Sequence, residues 1–362
     1  MEFDEILKEQ MKKIVDEKQT DSLSDYASGL SGGISDYFTL DKIVDATLNG
    51  ESIFSSEDMI SSLKALFLYE LKAALVVGVE ILTVCIVIGL LKNLSGSFGK
   101  KGVTEIASLV CSIVIIGLAV SNFQTIYQMT IDAIATITYT MELLLPVLIT
   151  ILISMGQVTG GTIMSPLILT AITIFESILK NIVLPALFLS TVLSLLNCLT
   201  EKDYVNHLSK FLRQAALFVT GLVLTLMSGI VAVQGLITQT SDSLIMGTAK
   251  YSLDAFIPIV GGFTADTVEL FIKCMGSIKG IVGIFGILLI VSLMLIPILK
   301  IMAISVIYKV TALLIEPVAS KKIAAGVSDI GTCLVTMGAI VFFASLLFII
   351  FITSIIRLGG SI

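Results

Sequence analysis

GIVGIFGILLIVSLMLIPIL, residues 280–299, runs for twenty residues without a charge. At 1.5 Å per helical residue it extends about 30 Å, the thickness of a bilayer's hydrocarbon core. It shows no two-residue alternation of apolar and polar side chains, so a barrel strand does not fit. In lipid, a helix is then the conformation that satisfies every backbone N–H and C=O. The same pattern recurs along the chain. Further apolar runs cover about 70–91, 104–121, 163–199, 215–237 and 334–356, with a shorter block at 143–155. The fold class is therefore all-α, a polytopic helical membrane protein with six to eight transmembrane helices.

Composition supports this. Of 362 residues, 56% are hydrophobic and only 14% charged, against about a quarter charged in soluble domains. The net charge of −6 is concentrated at the front, where residues 1–67 hold 14 Asp/Glu against 6 Lys. No basic run points to nucleic acid. The five cysteines, Cys85, Cys111, Cys198, Cys274 and Cys333, are scattered singly and imply no disulfide framework.

Two domains follow: an extracytoplasmic amphipathic region, 1–67, and a transmembrane domain, 68–362. In the first, Phe3, Leu7, Met11, Ile14 and Val15 share a helical face. A Ser/Gly/Asp-rich break follows at 24–36, then a second amphipathic helix with Ile53, Met59, Ile60, Leu63 and Phe67. The region reads equally as a solvated domain resting on the bilayer or as a docking arm. Its acidic start lacks the apolar core of a signal peptide.

Positive charge sets orientation. Lys92, Lys100 and Lys101, then Lys202, Lys210 and Arg213, then Lys300, Lys309, Lys321 and Lys322 flank the apolar runs. With all three groups in the cytoplasm, both termini and the segments 122–142 and 238–279 lie outside. An exported N-terminus calls for a leader, which this sequence does not carry at its start.

Pro146 and Pro185 are 39 residues apart, as are Pro258 and Pro297, and the two pairs are offset by 112. At that offset Thr220, Leu222 and Val223 superpose on Thr332, Leu334 and Val335. This suggests a parallel internal repeat, units 143–237 and 255–349, with chance self-matching of apolar sequence as the rival. The segments around Pro146 and Pro258 are candidate re-entrant or broken helical hairpins, with Gly160, Gly161, Gly261 and Gly262 supplying turns or close approaches. Six full crossings plus two such hairpins, or eight simple crossings, both fit. Pro185, Pro297 and Pro317 are further candidate helix breaks.

No catalytic motif is present, and the single histidine, His207, reads as a solvated loop residue. No enzyme activity, metal or cofactor is expected. Ionisable and amide residues inside apolar blocks are costly in lipid and mark candidate pathway positions. These are Glu80, Asp132, Glu142, Gln157, Glu176 and Gln234, with Glu80 and Glu176 the leading pair. Helix–helix hydrogen bonding is the plainer explanation for each.

Three stretches carry a resemblance: LLPVLITILISMGQVTGGTIMSP (144–166), IPIVGGFTAD (257–266) and IPILKIMAISVIYKVTALLIEP (296–317). Through them the chain resembles the stage III sporulation protein AE family, from about residue 60 to the C-terminus. The resemblance implies a multi-pass protein of the mother-cell membrane around the forespore. It implies membership of a channel or secretion-like complex supporting late forespore gene expression. Its partners would be membrane lipid, other stage III sporulation operon proteins and a forespore membrane protein, and a homo-oligomer is also open. The alternatives are a stand-alone secondary transporter or a non-conducting scaffold.

Overall fold

The computed structural model describes residues 56–97, 101–198, 205–256, 261–317 and 321–357. Among these residues every regular element is a helix. Helix α1 is Ser56–Ser97, α2 Lys101–Ser154 and α3 Val158–Ile178. A π-helical turn, Leu179–Val183, joins α3 directly to α4, Leu184–Asn197. Helix α5 is Asn206–Phe256, α6 Gly261–Ile315 and α7 Lys321–Arg357. Five stretches of the described residues are long and apolar enough to cross a membrane: 113–154, 166–197, 206–233, 274–315 and 321–357. The apolar run 70–91 lies on α1. The face predicted from Phe3 to Val15, the break at 24–36 and Pro258 lie outside the described residues.

The structure corrects the sequence reading at α2. The apolar runs 104–121 and 143–155 and the segment between them form one helix of 54 residues, about 80 Å long. They cannot be separate crossings, so the eight-crossing alternative fails here. Pro146 lies inside this helix and does not break it. Pro166 and Pro297 likewise lie within α3 and α6. Proline removes one backbone donor, but apolar packing on both sides of it holds the remaining turns in register.

The chain reverses at Gly156, ten residues later, which takes φ 83°. Gln157 N–H donates to Leu152 O at 3.1 Å and Gly156 N–H to Ile153 O at 2.9 Å. This Schellman arrangement satisfies the last carbonyls of α2 and calls for a left-handed residue at position 156. Gly160 and Gly161 fall in the first turns of α3, and Gly261 and Gly262 open α6. Pro185 follows the π turn, whose i→i−5 bond, Leu184 N–H to Leu179 O, shifts the carbonyl pairing just before the missing proline donor. Pro317 sits in the turn that ends α6.

Helix α6 is central and packs against α1, α2 and α7. Phe123, Phe175, Phe285, Tyr308 and Phe348 are fully buried among the helices. At the α6–α7 seam, Ser305 Oγ donates to Gly331 O at 2.7 Å. A Cβ at position 331 would stand 3.1 Å from Ser305 O, a tight contact that glycine avoids where the two backbones approach. The Tyr308 hydroxyl reaches Ala119 O at 3.5 Å and links α6 to α2. Pro258, the counterpart of Pro146 in the proposed repeat, lies outside the described residues.

Candidate functional site: a polar outward face on the second helix

The six candidate pathway residues do not converge on one site. Glu80 is exposed on α1, and Asp132 is exposed on α2, where Gln128 Nε2 donates to its Oδ1 at 3.1 Å. Glu142 is half-buried one helical stretch further along α2. Gln157 is half-buried at the α2–α3 turn. Glu176 is held by Lys180 at 2.6 Å. Gln234 lies on α5.

What α2 does provide is an outward face of one character. From Gly117 to Thr150 its exposed residues are Gly117, Ser121, Gln124, Thr125, Gln128, Asp132, Tyr139, Pro146 and Thr150. No exposed Leu, Ile, Val, Phe or Met occurs in that stretch, while Phe123, Ile134, Ile137, Met141, Leu144 and Leu148 are buried behind it. Over that stretch the helix turns its apolar side inward, whereas Val110, Ile113 and Val114 before it and Ile153 after it are exposed.

The depth of this face follows from the hairpin. Helix α2 and the α3–α4 rod run antiparallel from the turn at Gly156. Phe188 of α4 meets both Tyr127, at a centroid distance of 5.1 Å, and Phe123, at 5.9 Å. At that register Asp132 stands level with the π turn, and Glu142 with the middle of α3. The stretch 166–197 is itself a candidate membrane span. Segment 122–142 therefore runs level with a stretch long and apolar enough to cross a membrane, where Lys/Arg placement alone put it outside.

The π turn carries its own polar group. Lys180 and Glu176 are 27% and 20% exposed, and Asn181 Nδ2 donates to Ser177 Oγ at 3.1 Å. An ion pair near the middle of a 32-residue apolar stretch is tolerated when the two charges neutralise each other locally. Surplus-residue turns of this kind recur at functional positions in helices.

A third polar group ties α4, α5 and α7 together near their adjoining ends. Ser194 Oγ donates to Asp329 Oδ2 at 2.5 Å, and Arg213 Nη1 lies 3.9 Å from Asp329 Oδ1. Ser190 Oγ donates to Ser209 O at 2.7 Å and Ser209 Oγ to Ser190 O at 2.8 Å. Cys198 Sγ donates to Lys322 O at 3.1 Å. Burial, with the Asp329 carboxylate beside it, pushes the Cys198 thiol up to about 11. Sequence reasoning took Arg213 as a charge flanking an apolar run and passed over Asp329. Ser194 and Asp329 are 135 residues apart, and no spacing signal connects them. Among the described residues no group of three or more His, Cys, Asp or Glu could hold a metal ion.

The family model for stage III sporulation protein AE matches residues 38–359. The chain belongs to the stage III sporulation protein AE family. The match begins some twenty residues earlier than the resemblance read from the three apolar stretches. Stage III sporulation protein AE of Bacillus subtilis (strain 168) is 29% identical over 319 residues, covering 86% of this chain and 78% of that protein. No solved structure matches. Family membership gives the chain a role in sporulation, and its helices make it a membrane protein.

Proposed function

We propose that this protein is a mother-cell membrane subunit of a channel or secretion-like complex that connects mother cell and forespore and supports late forespore gene expression. Its partners in this reading are other proteins of the stage III sporulation operon and a forespore membrane protein. Both termini face the space between the two membranes, and the protein has no enzymatic role. Family membership supports the setting. The single observation that carries the choice of a channel subunit is the polar outward face of α2, which runs level with the apolar stretch 166–197. A solitary transporter lined from within would turn such residues inward and present lipid with apolar ones. The Glu176–Lys180 pair at the π turn and the 112-residue repeat are what favour the transporter alternative.

Affinity purification of the tagged chain from membranes of sporulating cells tests this. A stoichiometric assembly with other stage III sporulation proteins is expected. Recovery of the chain alone, active in solute flux when reconstituted alone, would replace the channel-subunit reading with the transporter. A stoichiometric complex that passes no ion or solute would leave a scaffold.

A further inference from the structure

We propose that the outward polar face of α2, from Ser121 to Thr150, lines a water-filled pathway that favours cations and is walled by further copies of this chain. The inference rests on the channel-subunit reading for the existence of a conducting complex, and adds where the pathway runs and what closes it.

The first argument is solvation. The face holds an ionisable carboxyl, Asp132, two exposed Gln side chains, Gln124 and Gln128, and exposed hydroxyls. A carboxylate or amide against hydrocarbon costs several kcal/mol unless water or a polar partner meets it. On one chain Gln128 bonds Asp132, which uses one of that carboxylate's acceptor sites and leaves others outward. The face runs nearly 30 residues, about 44 Å of helix, longer than the roughly 30 Å of hydrocarbon. Its polar residues therefore do not all escape to the headgroups.

The second argument is the identity of the wall. The outward face of α5 presents Phe211, Phe218, Leu222, Leu226, Ile230 and Val233, and that of α1 presents Leu75, Val76, Val79, Ile86 and Val87. The α5 face matches lipid, and on α1 the exposed Lys72 and Glu80 interrupt the apolar surface. Among the described helices α2 carries the longest outward face without an exposed large apolar side chain, and the surface that matches it is the same face of another copy. One hairpin is a single wall, whereas copies related by rotation about an axis bring identical faces together around a lumen.

The third argument is charge. Helix α2 carries Asp132 and Glu142 and no Lys or Arg after Lys101. Level with them, Lys180 is neutralised by Glu176. Each copy thus adds negative charge to the lumen, and rings of Asp and Glu attract cations.

Single cysteines at Gln124, Thr125, Gln128, Asp132 and Tyr139, each in the full-length chain in native membranes, test the proposal. Leu222, Leu226 and Ile230 on α5 serve as lipid-facing controls, and the parent chain with its own cysteines as background. The probes are membrane-impermeant methanethiosulfonates, one cationic and one anionic. The α2 positions should label at least tenfold faster than the α5 controls, with the cationic reagent ahead. Oxidation of the Asp132→Cys chain should yield disulfide-linked dimers of this protein. If Asp132→Cys fails to accumulate, Gln128→Cys and Thr125→Cys carry both measurements. Labelling no faster than on α5, preference for the anionic reagent, or labelling without dimers at any α2 position would each overturn the proposal. Spore yield scored on the same strains separates the two readings. A chain that sporulates and co-purifies normally but does not label sinks the pathway alone, and loss of co-purification removes the channel.

Discussion

Helices α2 and α5 pack into the same bundle and turn opposite kinds of surface outward. Along α5, Phe218 is 70% exposed and Leu226 58% exposed, as suits a helix solvated by lipid tails. Along α2, over a stretch of similar length, every exposed side chain from Ser121 to Thr150 is polar, aromatic with a hydroxyl, or proline. Both helices are apolar on average, and both qualify as membrane spans. Average hydropathy therefore identifies a span without saying what solvates it. That information lies in which residues face out, and it needs the packing partner of each helix.

The sharpest way to break this contrast is to exchange charge between the faces. Leu226→Lys puts an ammonium among lipid tails at a cost of about 2.5–3.5 kcal/mol, so membrane-inserted protein should fall tenfold or more on immunoblots. Gln128→Lys, on the α2 face, should accumulate to near parent levels. Equal loss for both would mean that α2 is solvated as α5 is. A smaller effect is expected at the π turn. Glu176→Gln strands Lys180, and because both side chains keep some exposure the cost is about 1–2 kcal/mol. Glu176→Gln with Lys180→Met should recover thermal stability in detergent, since the pair is removed together. No recovery would assign Glu176 a task other than neutralising Lys180.

Smaller again is Gly156→Ala. A side chain at φ 83° costs about 1 kcal/mol, lowering the melting temperature by a few degrees and loosening the α2–α3 register that sets the depth of Asp132. Unchanged stability would show that the turn does not fix this register. The last test changes a rate only. Cys198, with its thiol raised to about 11, stays protonated at neutral pH, and the thiolate is the reactive form. Its maleimide labelling should be slow at pH 7 and rise with pH through 9 and beyond. Fast labelling at pH 7 would mean that the α4–α7 contact at Lys322 opens readily.

Much of this architecture is legible in the residues. Charge-free runs such as 280–299 name the spans, whereas the reversal falls on Gly156 and not on Gly160 or Gly161, which lie within α3. The continuity of α2 is not legible, because Pro146 and the polar segment 122–142 look like a break and a loop. In the folded chain those polar residues fall on one side of a helix whose other side, from Phe123 to Leu152, is buried. The Ser194–Asp329–Arg213 group is illegible for a different reason: its members meet only because α4, α5 and α7 pack together. That Glu80, Asp132 and Glu176 fall on three different segments is legible in the sequence; that they do not meet in the folded chain is not.

Helices α2 and α6 have 54 and 55 residues, so each measures about 80 Å against a membrane core of roughly 30 Å. Most of each rod must therefore stand clear of the hydrocarbon. A rod of that length pivoting by 5° about its centre moves its tip by about 3–4 Å, the size of a side chain. The protein is built with leverage: a small tilt within the membrane becomes a contact made or lost well beyond it.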